Sequence, residues 1–310
     1  MKYLNNKIIN IAVSACCCLM LFSCEEEEQI FEYKAIPKTE ICARLVAGTE
    51  SFAAIYTDTS YVLIPGVTAT EIAYLSMHTG WAMRLFIFEV DLANPNVSIA
   101  ASTPNNKPVF GLQQMTKQAA FADAEGHKVW GGVNGDWYSE DNGTPDGIVY
   151  KDGIAVKTTF AGASLLFAIM KDDKALIAGQ DVYNSIRTDI REAICGHTWL
   201  VRDGAVVTQT NDEFEPRTWI GVSEDGLKVW MMVADGRNFY YSNGMQYWEM
   251  GEMMYAVGAH NSINLDGGRS STFFIRNTPE FTDDRFVLRN WPPENIIERE
   301  VGNGLLIIEK

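Results

Sequence analysis

The chain has 310 residues, 47% of them hydrophobic, and a formal net charge of −15. This length allows one large globular domain or two small ones with a sizeable core. The negative charge argues against nucleic acid as a partner, because phosphate neutralisation needs a basic surface. Any anionic ligand must therefore be bound by local arginines, against the overall field.

The first 23 residues are typical of an export signal. Lys2 and Lys7 precede a mostly apolar run over residues 8–22, which is too short and wrongly flanked for a transmembrane helix. The sequence L-F-S-C, which ends at Cys24, fits a bacterial lipoprotein cleavage box. We expect Cys24 to carry lipid and to anchor the protein to the outer membrane. An ordinary cleaved signal peptide is the alternative.

An acidic tether is predicted to separate the lipid from the folded domain. It spans residues 24–38 and begins with Glu25–Glu28, which resembles the acidic export tag of some Gram-negative surface lipoproteins. Surface exposure is therefore expected. The globular domain is predicted over residues 39–310. Its two cysteines, Cys42 and Cys195, could pair in an exported protein or remain as buried thiols.

Strand-like runs recur along the domain, and turn dipeptides such as Asp-Gly separate many of them, as in hairpins. The predicted strands are Tyr61–Pro65, Leu85–Leu92, Val129–Val133, Gly147–Val156, Ser164–Met170, Thr198–Val207, Trp219–Val222, Lys228–Val233, Ser262–Leu265, Thr272–Ile275 and Gly304–Ile308. Helical spacing appears in Val109–Ala124 and Met245–Val257, where the methionines are expected to fill core space. The predicted fold class is α+β, a single catalytic domain with a mostly antiparallel or mixed β-sheet and a few helices.

The segment N-L-D-G-G-R-S-S, at 264–271, is the most informative motif of the chain. An apolar run leads to Asp266, and a Gly-Gly turn and two hydroxyls follow. Gly267 and Gly268 can take a positive φ and let the backbone approach a ligand, and such a turn can direct amides at an anion. The motif is compatible with a site for an oxygen-rich anion or with an ordinary hairpin capped by its own aspartate.

Three upstream segments add to this motif: N-G-D-W-Y at 134–138, P-R-T-W-I-G at 216–221 and A-D-G-R at 234–237. In this order the four segments resemble the phosphodiester glycosidase family, whose pattern runs N-G-x-F-F, P-R-T-A-I-G, V-D-G-R and N-L-D-G-G-G-S-S-T. The resemblance extends over about residues 61–308. The chain departs from the pattern at Arg269, where a third glycine is usual, and at Asp136-Trp137-Tyr138.

The resemblance implies hydrolysis of the sugar C1–O bond in a glycosyl-1-phosphodiester, of the N-acetylglucosamine-α-1-phospho-sugar type. Asp266 is expected to act as nucleophile or base, Arg217 to bind phosphate through its planar fork, and Asp235 to form the opposite wall. Trp137 or Tyr138 could stack on the sugar. Substrate-binding roles are expected for nine residues of the motifs: Asn134, Asp136, Thr218, Arg237, Gly267, Gly268, Arg269, Ser270 and Ser271. The acid/base assignment stays open among Asp136, Asp235 and Asp266.

The histidine content favours C1–O over P–O cleavage. Cleaving P–O usually recruits metals held by His and Asp, and the four histidines show no metal-ligand spacing. Cleaving C1–O needs a carboxylate at the anomeric centre and cations on the departing phosphate. No metal ligand is assigned, and a divalent cation such as Ca²⁺ held by some of the aspartates stays open. A metal-dependent phosphodiesterase and a non-catalytic, surface glycan-binding lipoprotein are the alternative functions.

Overall fold

The structure is a computed structural model that describes residues 34–278, 285–293 and 297–310. The predicted signal, the acidic run and Cys24, which is expected to carry lipid, lie outside the described residues. The backbone N–H groups of Lys38 and Thr39 donate to Asp58 Oδ2 at 2.6 and 2.8 Å, immediately before the first described helix. None of the described helices is long and apolar enough to cross a membrane.

The described residues form short helices and many strands. The α-helices are α1 (Glu40–Gly48), α2 (Met115–Ala124), α3 (Tyr183–Ile186) and α4 (Tyr247–Val257). The strands are β1 (Phe52–Ile64), β2 (Val67–Ser76), β3 (Ala82–Asp91), β4 (Val97–Ser102), β5 (Gln113–Gln114), β6 (Lys128–Asn134), β7 (Val149–Lys151), β8 (Ile154–Lys157), β9 (Leu165–Met170), β10 (Ala175–Gly179), β11 (Ile190–Gly196), β12 (Trp199–Arg202), β13 (Ala205–Val206), β14 (Arg217–Val222), β15 (Lys228–Ala234), β16 (Asn261–Asn264), β17 (Phe273–Arg276), β18 (Phe286–Leu288), β19 (Glu300–Val301) and β20 (Gly304–Glu309).

The described strands pair into four antiparallel sheets. The largest has the order β1-β2-β3-β15-β14-β16-β12-β13. Two five-stranded sheets have the orders β10-β9-β11-β7-β8 and β18-β17-β6-β20-β4, and β19 pairs with β5. The α+β class with mostly antiparallel sheets and few helices is confirmed.

The core consists of layers between these sheets and helices. One face of the eight-stranded sheet packs against both five-stranded sheets, where the rings of Phe88 and Phe273 stack with centroids 3.9 Å apart. Its other face packs under α1 and α4. Helix α2 covers the outer face of the sheet that contains β6, and α3 covers that of the sheet that contains β9. Cys42 and Cys195 are free, buried thiols, so they do not form a disulfide.

Both predicted helices exist, and α2 is shorter than predicted. The residues before Met115 include β5, which pairs with β19, so the helix cannot begin at 109. Helix α4 begins with a capping box in which Gln246 N donates to Glu249 at 3.0 Å, and ends at Gly258 in a left-handed conformation, φ 97°. Its methionines are buried in the core, as predicted.

Candidate active site

The polar motifs meet at one end of the layered sheets. Strands β6, β15 and β16 end there, and β14 and β17 begin there. In the antiparallel register Trp219 of β14 lies opposite Asn264 of β16. Continuing this register by two residues places Arg217 opposite Asp266, and Arg217 is also paired with Ala234, the residue before Asp235.

A cavity of about 290 Å³ opens at this end, and we call it the candidate cavity. Two surface clefts elsewhere are larger, at about 520 and 560 Å³, but they contain none of the motif residues. Each of the four motifs contributes at least one lining residue to the candidate cavity. Its lining residues are Trp137, Asn211, Glu213, Glu215, Arg217, Arg237, Tyr247, Asp266, Gly267 and Gly268.

Asp266 is one of three carboxyl-bearing residues that line this cavity, beside Glu213 and Glu215. Burial raises its pKa to about 7, against hydrogen bonds from the Ser270 hydroxyl and the Gly267 amide that stabilise the anion. Its backbone is fixed as well, because Asp266 N donates to Gly135 O at 2.9 Å. A carboxyl that changes charge near neutral pH can serve as a base, a nucleophile or an acid.

Asn134 and Thr218 hold the Asp266 turn from behind. Asn134 Nδ2 donates to Asp266 O at 2.6 Å, and its Oδ1 accepts bonds from Thr218 Oγ1 at 2.7 Å and from Thr272 N at 3.0 Å. Both side chains are buried and neither lines the cavity. The structure thus places these two predicted substrate-binding residues as supports of the turn.

The two glycines of the turn differ in the reason for their presence. Gly268 has φ 61°, as predicted, but Gly267 is extended, with φ −123°. At position 267 there is no room for a side chain, because a Cβ on Gly267 would lie 2.6 Å from Pro216 O. Gly268 N donates to Pro216 O at 2.8 Å, so the expectation that this amide faces an anion is wrong.

The residues after the glycines occupy three different environments. Ser270 is buried and its hydroxyl bonds to Asp266, with Tyr138 Oη 3.5 Å away. Ser271 Oγ is buried without a hydrogen-bond partner among the described residues. Arg269 is exposed in the short 3-10 turn Gly268–Ser270 and does not line the cavity. A side chain at this position therefore fits the turn without a clash.

Arg217 is a buried guanidinium with a fixed orientation. Nε donates to Met245 O at 3.1 Å and Nη2 to Glu213 O at 2.9 Å, while Cζ lies 4.3 Å from the centroid of the Tyr247 ring. Burial lowers its pKa from the usual value. The guanidinium has five N–H groups, and these two bonds do not use all of those on Nη1 and Nη2. These two nitrogens can therefore still donate hydrogen bonds to an oxyanion.

Arg237 supplies a second guanidinium to the cavity. Its φ of 60° is unusual for a residue other than glycine. Its Nε forms an ion pair with Glu215 Oε2 at 2.6 Å. Its Nη2 is the atom that would lie nearest to a Cβ added at Gly268. The carboxylate of Glu215 balances part of the positive charge that the two arginines place in the cavity.

Asp235 and Asp136 do not line the cavity. Asp235 accepts bonds from Asn290 Nδ2 at 3.0 Å and Trp291 N at 2.8 Å, and burial raises its pKa to about 7. Asp136 accepts one bond, from Gly147 N at 2.7 Å, and its Oδ1 has no partner among the described residues. Burial raises its pKa well above the usual range. Of the three aspartates left open by the sequence, the described cavity contains Asp266 alone.

Sequence reasoning missed several lining residues. Glu213 and Glu215 precede the Pro-Arg pair at a two-residue spacing, so charge alternation was a usable signal. Tyr247 lies within the predicted helix Met245–Val257, and its hydroxyl accepts a bond from Asn264 Nδ2 at 2.9 Å while its ring faces Arg217. No pattern in the sequence indicated that Asn211 lines the cavity.

A histidine lies directly behind Trp137. The rings of His197 and Trp137 have centroids 4.1 Å apart, and His197 Nε2 is 3.5 Å from Asp146 Oδ2. Burial lowers the pKa of His197 from its usual value, against the nearby Asp146 carboxylate, which favours the charged ring. Within residues 34–278, 285–293 and 297–310, no three His, Cys, Asp or Glu side chains group closely enough to hold a metal ion.

The fold thus brings two arginines, two aromatic side chains and three carboxyls into one cavity, and burial raises the pKa of one of these carboxyls, that of Asp266, to about 7. The phosphodiester glycosidase family model matches residues 127–308, more than half of the chain. The chain belongs to the phosphodiester glycosidase family.

Curated relatives share part of this chain. The N-acetylglucosamine-1-phosphodiester alpha-N-acetylglucosaminidases of Mus musculus and Homo sapiens are 26% and 27% identical to it over 166 residues, which is 47% of this chain. The match spans 31% and 32% of those proteins, so about two thirds of each has no counterpart in the match.

Solved structures share the fold. The zebrafish N-acetylglucosamine-1-phosphodiester alpha-N-acetylglucosaminidase catalytic domain, auto-inhibited by its pro-peptide, superposes with a TM-score of 0.61 at 20% identity, over 82% of this chain and 88% of that one. A hypothetical protein from Synechocystis gives 0.57 at 12% identity, over 82% and 64%. At these identities the similarity concerns the fold.

Proposed function

We propose that this protein hydrolyses the sugar C1–O bond of a glycosyl-1-phosphodiester and releases a free sugar and a phosphomonoester. The observation that carries the proposal is the shared cavity of Asp266, with a pKa of about 7, and the two arginines Arg217 and Arg237. The names of the curated relatives suggest N-acetylglucosamine in α-linkage as the sugar.

The chemistry of the leaving group matches these residues. When C1–O breaks, the electron pair goes to the phosphate oxygen, and the phosphomonoester leaves without strong general-acid help. Arg217 and Arg237 stabilise the charge on that phosphate. A substrate whose leaving group departs as a neutral alcohol would instead need a proton donor at the position of these two arginines.

Asp266 acts in its ionised form on the other side of C1. It either bonds to C1 or removes a proton from the attacking water, and the oxygen of water ends on the sugar in both cases. Trp137 provides an aromatic face for the apolar side of the sugar ring. The anomeric form of the first product distinguishes the two roles, because a direct attack by water inverts C1.

Hydrolysis in ¹⁸O-water tests the proposal. The chain from Gln29 onward is incubated with a methyl ester of N-acetylglucosamine-α-1-phosphate, and both products are analysed by mass spectrometry. We expect the label in the free sugar. Label in the phosphate would instead support a phosphodiesterase, which a chelator would inhibit if a metal were required, and sugar binding without turnover would support the glycan-binding alternative.

We further propose that the protein is attached to the outer membrane by lipid on Cys24, with the domain exposed at the cell surface. Supporting observations are the L-F-S-C sequence and the acidic run after it. Metabolic labelling with an alkyne fatty acid should label the wild type and leave Cys24→Ser unlabelled. Protease treatment of intact cells should remove the domain, and a fully protected domain would contradict the surface location.

A further inference from the structure

A second cleft, of about 520 Å³, is lined by the last residues of α1, one face of α4, the turn between β2 and β3, and β13. We call it the helix-end cleft. It shares no lining residue with the candidate cavity, so it is a separate site. Its volume lies within the range of small-molecule sites, roughly 300–1,000 Å³.

Helix α4 contributes two aromatic rings and a carboxylate to the helix-end cleft. Trp248, Glu252 and Tyr255 are spaced by four and three residues, which places them on one helix face, and all three line the cleft. Trp248 Nε1 donates to Gln246 Oε1 at 2.7 Å. The ring of His78, from the opposite wall, packs edge to face with that of Trp248, with centroids 4.8 Å apart. The orientation of the Trp248 ring is therefore fixed.

The carboxyl end of α1 adds negative charge to the same cleft. Thr49 N and Thr49 Oγ1 both donate to Leu45 O, at 3.0 and 2.9 Å. This cap satisfies one of the four terminal carbonyls of α1, and the other three carry the negative end of the helix dipole. The last turn of α1 contains no basic residue, and the exposed Glu50 follows it. The described lining residues include no lysine or arginine.

The walls of the helix-end cleft are held in place without a ligand. Helices α1 and α4 cross so closely at Gly48 that a Cβ there would lie 2.5 Å from Ala256 Cβ. The turn that carries His78 is joined to the chain after Glu50, because Met77 N donates to Ser51 O at 2.9 Å. A ligand that enters the cleft therefore loses little free energy to ordering of the backbone.

We propose that the helix-end cleft binds a small organic ammonium ion, with its charge near Glu50 and Glu252 and its alkyl groups on Trp248 and Tyr255. Aromatic faces attract ammonium groups, and quaternary ammonium ions in particular are bound by aromatic rings. An anion would be repelled by the two carboxylates, and a neutral apolar ligand would desolvate them without compensation. The net charge of −15 favours the approach of a cation.

The test is calorimetric titration with choline and with 3,3-dimethylbutan-1-ol, a neutral molecule of nearly the same shape. We expect the wild type to bind choline at least about ten-fold more tightly than the alcohol. Glu252→Gln should weaken choline binding about ten-fold and leave the affinity for the alcohol unchanged. Trp248→Ala should weaken binding of both, and Tyr255→Ala is a second aromatic variant at a 54% exposed position. The matched control is Glu224→Gln, which removes the same charge from an exposed position outside the cleft.

Three results would overturn the ammonium site. They are equal affinities of the wild type for choline and the alcohol, no binding of choline at millimolar concentrations, and a choline affinity that Glu252→Gln and both aromatic variants leave unchanged. Thermal melts of each variant show whether it is folded. The outcome does not depend on the proposed hydrolysis, because the titration uses no phosphodiester and Asp266→Asn should bind choline as the wild type does.

Discussion

The raised pKa of Asp266 predicts a steep pH dependence of activity. With a pKa of about 7, the carboxyl is about 90% ionised at pH 8 and about 1% ionised at pH 5, since ionisation changes ten-fold per pH unit. In the mechanism that we propose the ionised form reacts, so kcat/KM should fall about a hundred-fold between pH 8 and pH 5. A carboxyl with the usual aspartate pKa would lose less than about a tenth of its ionised form over the same range.

Steady-state kinetics on a glycosyl-1-phosphodiester from pH 4.5 to 9 provides the assay, with thermal melts at each pH to show that the fold persists. A second perturbation checks the assignment. Ser270→Ala removes a hydrogen bond that lowers the pKa of Asp266, so the midpoint of its profile should move to higher pH. A profile that stays flat down to pH 5, or one that rises on acidification, would show that activity does not depend on an ionised Asp266 with a pKa of about 7.

Three further substitutions have expected outcomes. Arg217→Lys loses the bonds to Met245 O and Glu213 O. It should therefore lower kcat/KM at least about a hundred-fold and the free energy of unfolding by about 2–4 kcal/mol. Unchanged steady-state kinetics would mean that this guanidinium does not bind substrate. Gly267→Ala places a Cβ 2.6 Å from a backbone oxygen and should cost about 2 kcal/mol in urea unfolding, whereas Gly111→Ala, whose Cβ meets nothing closer than 3.4 Å, is the control with little effect. Glu249 has its pKa raised to about 7 by burial, above its unfolded value, so its contribution to stability is present below about pH 4.5 and lost as the pH rises through 7. Glu249→Gln keeps a cap acceptor and should be more stable than the wild type at pH 8, by on the order of 2 kcal/mol, and similar to it at pH 5; equal stability at both pH values in chemical denaturation would contradict the assignment.

Hairpins with strong turn residues were predictable from the sequence. The runs Gly147–Val156 and Thr198–Val207 each contain an Asp-Gly pair, and in the structure each splits at that pair into two strands. Asp152 and Gly153 have φ of 52° and 76°, and Asp203 and Gly204 have φ of 51° and 74°. The turn chemistry is local, so local sequence was sufficient to predict it.

Other elements depend on tertiary pairing. Strand β2 contains Thr, Glu and Ala and alternates poorly, but it pairs along its length with both β1 and β3. Strands β4, β10 and β11 were likewise not predicted, and neither was α1, whose N-terminal cap at Thr39 is fixed by Asp58, 19 residues away. Contacts of this range leave no periodic signal in a short window.

The motifs located the candidate cavity but did not separate its lining from its supports. Asp266 and Asp235 each precede a glycine in a conspicuous motif, yet the backbone of Trp291 and the side chain of Asn290 occupy both carboxylate oxygens of Asp235. The distinction depends on which partners the fold brings to each carboxylate. The family resemblance identified both aspartates as candidates. Only the structure shows that Asp266 lines the cavity and that Asp235 does not.

In the proposed mechanism Asp266 performs the reaction at C1, and the phosphate of the substrate is bound without it. The most direct test is single-turnover hydrolysis of an N-acetylglucosamine-α-1-phosphodiester by Asp266→Asn, together with its binding affinity for the same ester by calorimetry. We expect a folded variant that binds the ester with an affinity close to that of the wild type and releases no sugar. Release of sugar at the wild-type rate would contradict it.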